Sequence, residues 1–248
     1  MLAPLLCLLL LPSGEPPATT DWHIEKYEWE GVVKAHHPIE IVNDYGDVRT
    51  RLANDQTLAV SGMIQRAPTD PDNMKIKVEQ TTEKTVIRVT FPGEVRGAPL
   101  RRRIDVTAFI PKQSPLTIRT YRGLIEAKGL ESDLLLSTDQ GRVVFSTTGT
   151  AEVSTRQGDV KGYFKTARWS KPPRFTSVLG NLMLHFPKAT DAVVDVATRG
   201  KITSDYTMEL SFEDASRLKK ARVKLGSGKV PVTIDAGRGN VELLRGIH

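Results

Sequence analysis

The sequence predicts an all-β fold: a single-stranded β-helix, or solenoid, of stacked coils with an irregular β-rich N-terminal part. Three observations predict it. Small or apolar residues recur at −7, −5 and −3 from a glycine and again at +2 and +4. The glycines that anchor this register recur at a short, nearly fixed spacing. The residue at −3 is repeatedly Thr, Ser, Asn or Ala, which suits a corner where like residues stack. Around Gly141 the register reads Leu134, Leu136 and Thr138, then Val143 and Phe145. Alternation on both sides of a fixed turn means strand, turn, strand with one face buried. The expected reason for the glycine is a turn residue at positive φ, which glycine adopts at least cost.

The same pattern runs along the chain. Gly46 carries Ile39, Ile41, Asn43, Val48 and Thr50. Gly123 carries Leu116, Ile118, Thr120, Ile125 and Ala127, and Gly158 carries Ala151, Val153, Thr155, Val160 and Gly162. Gly180 fits less fully, with Phe175, Ser177, Leu182 and Leu184. Gly239 carries Val232, Ile234, Ala236, Val241 and Leu243. Gly123, Gly141 and Gly158 are 18 and 17 residues apart, and Gly180 and Gly200 follow after 22 and 20. Self-similarity at this period indicates coils that share a continuous core. The alternative is a β-sandwich with regularly spaced strands. The Gly200 coil breaks register: Asp195 holds the −5 position between Val194 and Val196. A one-residue slip flips side chains across a sheet, so a shorter turn or a bulge is expected there.

Residues 21–115 read as wider coils or a β-rich cap, and 116–248 as regular coils. Strands are expected around Val33, Ile39, Ile41 and Val48, over Leu58–Val60, Ile76–Val78 and Val86–Val89, and through Ile104, Val106 and Phe109. Ala67–Asn73 and Pro92–Pro99 read as loops from their turn-forming residues. Ser211–Lys220 reads as a short helix capped by Ser211, or as a loop.

Residues 1–20 read as a secretory signal. Leu2–Leu11 is apolar but too short to span a bilayer, and prolines and small residues follow. No Lys or Arg precedes the run, which is atypical of such signals. Leu5 and Leu6 before Cys7 do not suit a bacterial lipidation site. Cys7 is the sole cysteine, so cleavage near Ala18 leaves no thiol nucleophile, disulfide or Cys metal ligand. Cleavage also removes one acid, Glu15, and no base, raising the net charge from +6 to +7. A basic exported chain favours anionic partners: a glycan, an envelope polymer or a membrane surface.

Motifs for chemistry are sparse. There is no phosphate-binding loop, no H-E-x-x-H and no Gly-Asp calcium repeat, so no cofactor or metal is expected. No helix-turn-helix or aromatic RNA-binding signature is present, so no nucleic acid is expected. Adjacent His36 and His37 are expected on an exposed strand, facing opposite ways, and His185 at a solvent-facing strand position. Asp139 and Asp159 flank turns. Stacking could pair such carboxylates for acid–base cleavage of a polysaccharide, although turn Asp also serves the backbone. The candidate anion-binding residues are Arg101, Arg102 and Arg103, and Lys219, Lys220, Arg222 and Lys224. Tyr45 and Tyr121 sit in turns, where they either stack on sugars or pack a coil edge.

The segments LTIRTYRGLIEAKG, LLLSTDQGRVVFS, AEVSTRQGDVKG and VTIDAGRGNVELL resemble the bacterial DUF4097 family, and so does IEIVNDYGDV. Gly226-Ser-Gly228 also resembles that family's C-terminal pattern. The resemblance spans about residues 31–245. It implies a surface or secreted β-solenoid of the cell envelope with an adhesin role, and it carries over no catalytic residues. The expected function is an exported, non-enzymatic binding module. The competing reading is a β-helix enzyme acting on an anionic polysaccharide.

Overall fold

The computed structural model describes residues 22–93 and 102–246. The expected signal segment and Arg101 lie outside the described residues. Among the described residues, twenty-one strands and no helix make up two sheets that face each other across one core.

The regular coils are as the register dictates. Each sends one strand into sheet B, turns at its glycine, and sends the next into sheet A. β8 (Leu116–Arg122) leads to β9 (Ile125–Leu130), β10 (Leu134–Gln140) to β11 (Val143–Thr147), and β12 (Ala151–Gln157) to β13 (Val160–Phe164). β14 (Arg174–Leu179) leads to β15 (Leu182–Phe186), and β16 (Ala192–Thr198) to β17 (Ile202–Ser204). Neighbours pair in parallel and in register, Leu134 opposite Leu116 and Ala151, and Leu136 opposite Ile118 and Val153. Equivalent residues therefore stack directly. Phe145, Phe164, Phe175 and Phe186 form the aromatic centre, with Phe145 on Phe175 and Phe164 on Phe186, both at 5.9 Å between ring centres. Gly162 takes an inward slot where a Cβ would collide with the Phe145 ring, so its missing side chain makes room for that ring.

The described strands before residue 116 belong to the same two sheets. β2 (Ile39–Tyr45) and β3 (Val48–Leu52) form a coil that pairs directly with β8 and β9. β6 (Thr85–Thr90) and β7 (Arg102–Ile110) form another, stacked outside the first. Antiparallel strands close this end: β4 (Thr57–Arg66) on β7, β1 (His23–Val32) on β4, and β5 (Lys75–Gln80) on β6. The expected strands are present here, although Val33 lies just past β1.

At the other end, β18 (Met208–Glu213) and β19 (Leu218–Leu225) form a hairpin against β16. This corrects the helix or loop expected over Ser211–Lys220. Met208, Leu210 and Phe212 alternate with polar residues, as do Ala221, Val223 and Leu225, and that period of two selects strands. The last strands in sequence, β20 (Val230–Asp235) and β21 (Val241–Arg245), slot between the β14–β15 and β16–β17 coils.

The glycine corner is built by stacking. A Cβ on Gly123 would collide with the Gly46 carbonyl oxygen, one on Gly141 with Gly123, one on Gly158 with Gly141, and one on Gly180 with Gly158. Gly239 and Gly200 continue the column on Gly180 and Gly239. Positive φ is not the shared requirement: Gly123, Gly180, Gly200 and Gly239 do not have it, whereas Gly46 does at 128° and Gly141 and Gly158 do at 157°. What they share is backbone approach too close for any side chain. The Gly141 and Gly158 amides bridge the column, donating to Gln157 O and Leu179 O at 2.9 Å. In the Gly200 coil, Val194, Val196 and Thr198 face inward and Asp195 outward, so the turn is one residue shorter. Thr198 Oγ1 covers the gap, donating to Gly239 O at 2.5 Å and accepting from Gly200 N at 2.9 Å.

Thr120, Thr138 and Thr155 form the column at −3, each with a buried hydroxyl that lacks a protein partner. Desolvating such a hydroxyl costs about 1–3 kcal/mol. Thr138→Val keeps the shape and removes the hydroxyl. The expected result is unchanged or higher stability in urea titration; a loss above about 1 kcal/mol would show that the hydroxyl is satisfied.

Candidate functional site

Among the described residues, the basic side chains singled out from sequence do not assemble into one anion site. Arg102 is 5% exposed, and its guanidinium donates to Asn73 Oδ1 and Pro92 O at 2.6 Å and to Pro71 O at 3.4 Å. It ties the loops flanking β5–β6 to β7 and is unavailable to a ligand. Arg103 is half-exposed but lies between Asp105 and Asp47, at 2.5 and 3.3 Å. Lys219 turns away from its neighbours, and its Nζ donates to Gly200 O at 2.8 Å.

Lys220, Arg222 and Lys224 do line up, on the outer face of β19, because alternate strand residues share a face. Each position has an acidic or apolar neighbour across the ladder. Lys220 pairs with Glu213, and Arg222 grips Asp195 through two bonds at 2.9 and 3.3 Å. The Asp195 carboxylate holds the Arg222 guanidinium above its ordinary pKa, and Lys220 holds the Glu213 carboxyl below its own. Lys224 stands opposite Val193. Two of the three cations in the run are thus paired with acids of neighbouring strands.

Two shallow grooves mark the outer face of sheet B. One, about 620 Å³, is lined by Asp195, Glu209, Ser211, Lys220, Arg222 and Asp235 among others. The other, about 380 Å³, lies over β8, β10 and β12 and includes Arg119, Tyr121, Ser137, Asp139, Ser154 and Arg156. The Arg119 guanidinium reaches Glu40 at 3.0 Å beside Lys84 at 2.9 Å, and the Lys84 hydrogen bond leads in lowering the Glu40 pKa. Sequence reasoning missed Arg119 and Arg156, which form no run; only the strand register places them on one face.

The turn carboxylates serve structure. Asp139 accepts both arms of Arg156, at 2.7 and 2.8 Å. Asp159 Oδ1 accepts Asn181 N at 2.8 Å and Asn181 Nδ2 at 3.1 Å. The position after the corner glycine repeats this bond along the stack. Leu124 N reaches Asp47 at 3.0 Å, Asn240 N reaches Asn181 at 2.9 Å, and Lys201 N reaches Asn240 at 2.9 Å. Among the described residues, no three or more His, Cys, Asp or Glu converge as metal ligands.

Tyr45 packs a coil edge: it is 2% exposed and meets Phe91 and Tyr121 edge-on at 5.3 and 5.8 Å. Tyr121 is half-buried and lines the smaller groove. The histidines correct expectation. His36 and His37 lie in a turn and the segment after it, and His37 is buried against Thr85 Oγ1 at 2.9 Å. His185 does face outward, but it stacks on Tyr163 at 4.3 Å, and burial together with Lys161 lowers its pKa.

No protein-family model matches the chain, and no curated protein matches it. Among solved structures it is similar to a "putative cell adhesion protein" from Clostridium sporogenes, with 14% identity over 90% of this chain and 100% of that one, and a TM-score of 0.49. It is also similar to a "putative adhesin" from Bacteroides fragilis, with 13% identity over 89% of this chain and 97% of that one, and a TM-score of 0.29. A protein of the same description from Parabacteroides distasonis shares 12% identity over 89% and 97% of the two chains, with a TM-score of 0.33.

Proposed function

We propose that this chain is an exported, non-enzymatic cell-envelope binding module of the DUF4097 kind, and that the outer face of sheet B engages an anionic polymer. The carrying observation is that face itself. In-register stacking arrays Arg119, Ser137, Ser154 and Thr176 along one row, with Arg156 beside it. Rows repeat at the strand spacing of about 4.8 Å, which suits an extended repeating ligand better than a compact one. Surface guanidinium groups and hydroxyls on such rows can bind sulfate, carboxylate or phosphate groups along a polymer. Asp139 and Asp159 already hold Arg156 and Asn181, which favours binding over cleavage.

The test is binding to immobilised acidic polysaccharide and to anionic vesicles across a salt series. Affinity should fall steeply with salt, since screening shrinks from about 8 Å at physiological ionic strength to about 3 Å at 1 M. Replacing Arg119, Arg156 and Arg174 together by Gln should weaken binding more than replacing Lys219, Lys220, Arg222 and Lys224, because the first set spans the in-register rows from β8 to β14 and the second stands at the end of the sheet. Salt-independent binding would overturn the electrostatic reading. New reducing ends, lost in Asp139→Asn, would replace the binding module with an enzyme.

A further inference from the structure

The ends of sheet B fit each other. Among the described residues, β18 pairs only with β19, and β5 only with β6, so each presents an open edge. The β18–β19 hairpin carries sheet B two strands past β17, where sheet A ends. Its inner face is left bare: Leu210 and Phe212 are 63% and 56% exposed. Exposed apolar side chains on an unpaired edge are a template for another strand.

We propose that this edge receives β5 of a second copy of this chain, joining copies head to tail through a continuous sheet B. Direction allows it. β18 runs with β16, two antiparallel pairings away, whereas β5 runs against β6 and hence against the coils. Copies stacked in one orientation therefore present β18 and β5 as an antiparallel pair. Register favours it as well. Leu210 opposite Ile76 sets Met208 opposite Val78 and Phe212 opposite Met74, all on the inner face. The same register sets Glu209 opposite Lys77 and Ser211 opposite Lys75 outside, where Lys77 now leans on Glu79. Apolar meets apolar and acid meets base, the pattern that stabilises cross-strand neighbours. Two β18 strands pairing with each other would instead crowd Glu209 and Glu213 of both copies on one outer face. A head-to-tail contact uses different surfaces on each partner, so it propagates into open chains unless the rotation closes a ring.

The experiment is sedimentation velocity of the purified chain over a concentration series reaching the millimolar range. A ladder of species growing with concentration is expected; a monomer throughout would overturn the proposal. Leu210→Lys/Phe212→Lys blocks one end and Lys75→Glu/Lys77→Glu the other. Each should lower the association constant at least about tenfold while leaving the strand circular dichroism unchanged. Mixed together, they should form a 1:1 dimer and nothing longer, because one intact end of each remains. If the β5 variant alone still dimerises, the contact is β18 with β18 and the head-to-tail assignment is wrong. Should a double variant lose its fold, Glu209→Lys with Lys77→Glu replaces it: each single change weakens association, and combining them restores it.

Discussion

Gly141→Ala lowers the stability of the chain by at least about 3 kcal/mol, and its melting temperature by roughly 6–12 °C. A Cβ there would sit well inside 3.0 Å of the Gly123 carbonyl, and the obstacle is backbone. Side chains can rotate away from a new methyl group; a backbone carbonyl whose residue is held through its own amide to Gln140 O cannot. Gly123 is itself seated on Gly46, so relaxing one corner strains the next. Arg142, the exposed neighbour, gives the control: Arg142→Ala should change stability by no more than about 0.5 kcal/mol. Thermal and urea unfolding of the two variants decide the matter. Similar small effects at both positions would show that the corner column tolerates side chains.

The second large effect is expected at the aromatic centre. Phe175 is fully buried and touches Phe145 at 5.9 Å and Phe164 at 6.1 Å between ring centres. Phe175→Ala should cost about 3–5 kcal/mol, combining lost transfer energy with the cavity left among rings that cannot all collapse inward. Leu135, at 37% exposed on the outer face of the adjacent stack, should lose less than about 1 kcal/mol on the same change. A loss at Phe175 no larger than at Leu135 would mean that the core repacks freely.

Much of the architecture can be read in the chain because one rule repeats. The register around Gly141 gives the inward residues of β10 and β11, and the same count works from Gly46 to Gly239. The slip at Asp195 is legible for the same reason: a carboxylate in an inward slot demands a shifted turn. The Ser211–Lys220 segment misleads because its charged residues and Ser cap imitate a helix start while the apolar period is two. The basic runs mislead for a different reason. Runs along a chain count like charges in sequence, but Arg222 meets Asp195 of β16, and Arg103 meets Asp47 from the β2–β3 corner as well as Asp105 of its own strand. Burial of Arg102 depends on loops whose closure no local pattern encodes. Stacking order is hidden as well, since every coil offers nearly the same inward set to its neighbours.

That order bears on how the chain must be assembled. Along the stack, the first coil in sequence lies inside the β6–β7 coil, and the last lies inside the β16–β17 coil. A solenoid could in principle grow by adding each new turn to the free end. Here the final turn is a keystone, entering between two turns synthesised before it. Until Val230–Arg245 emerges, β14–β15 and β16–β17 lack their shared neighbour. Sequential zippering from the N-terminus therefore stops one turn short, and closure waits for contacts across a long stretch of chain, which slows folding. A chain that ends at Gly226 should show rapid amide exchange in β16–β19, while the stack from β8 to β13 stays protected. The keystone placement makes Val230–Arg245 a checkpoint: the stack stays incomplete at that end until this segment has entered between its two neighbours.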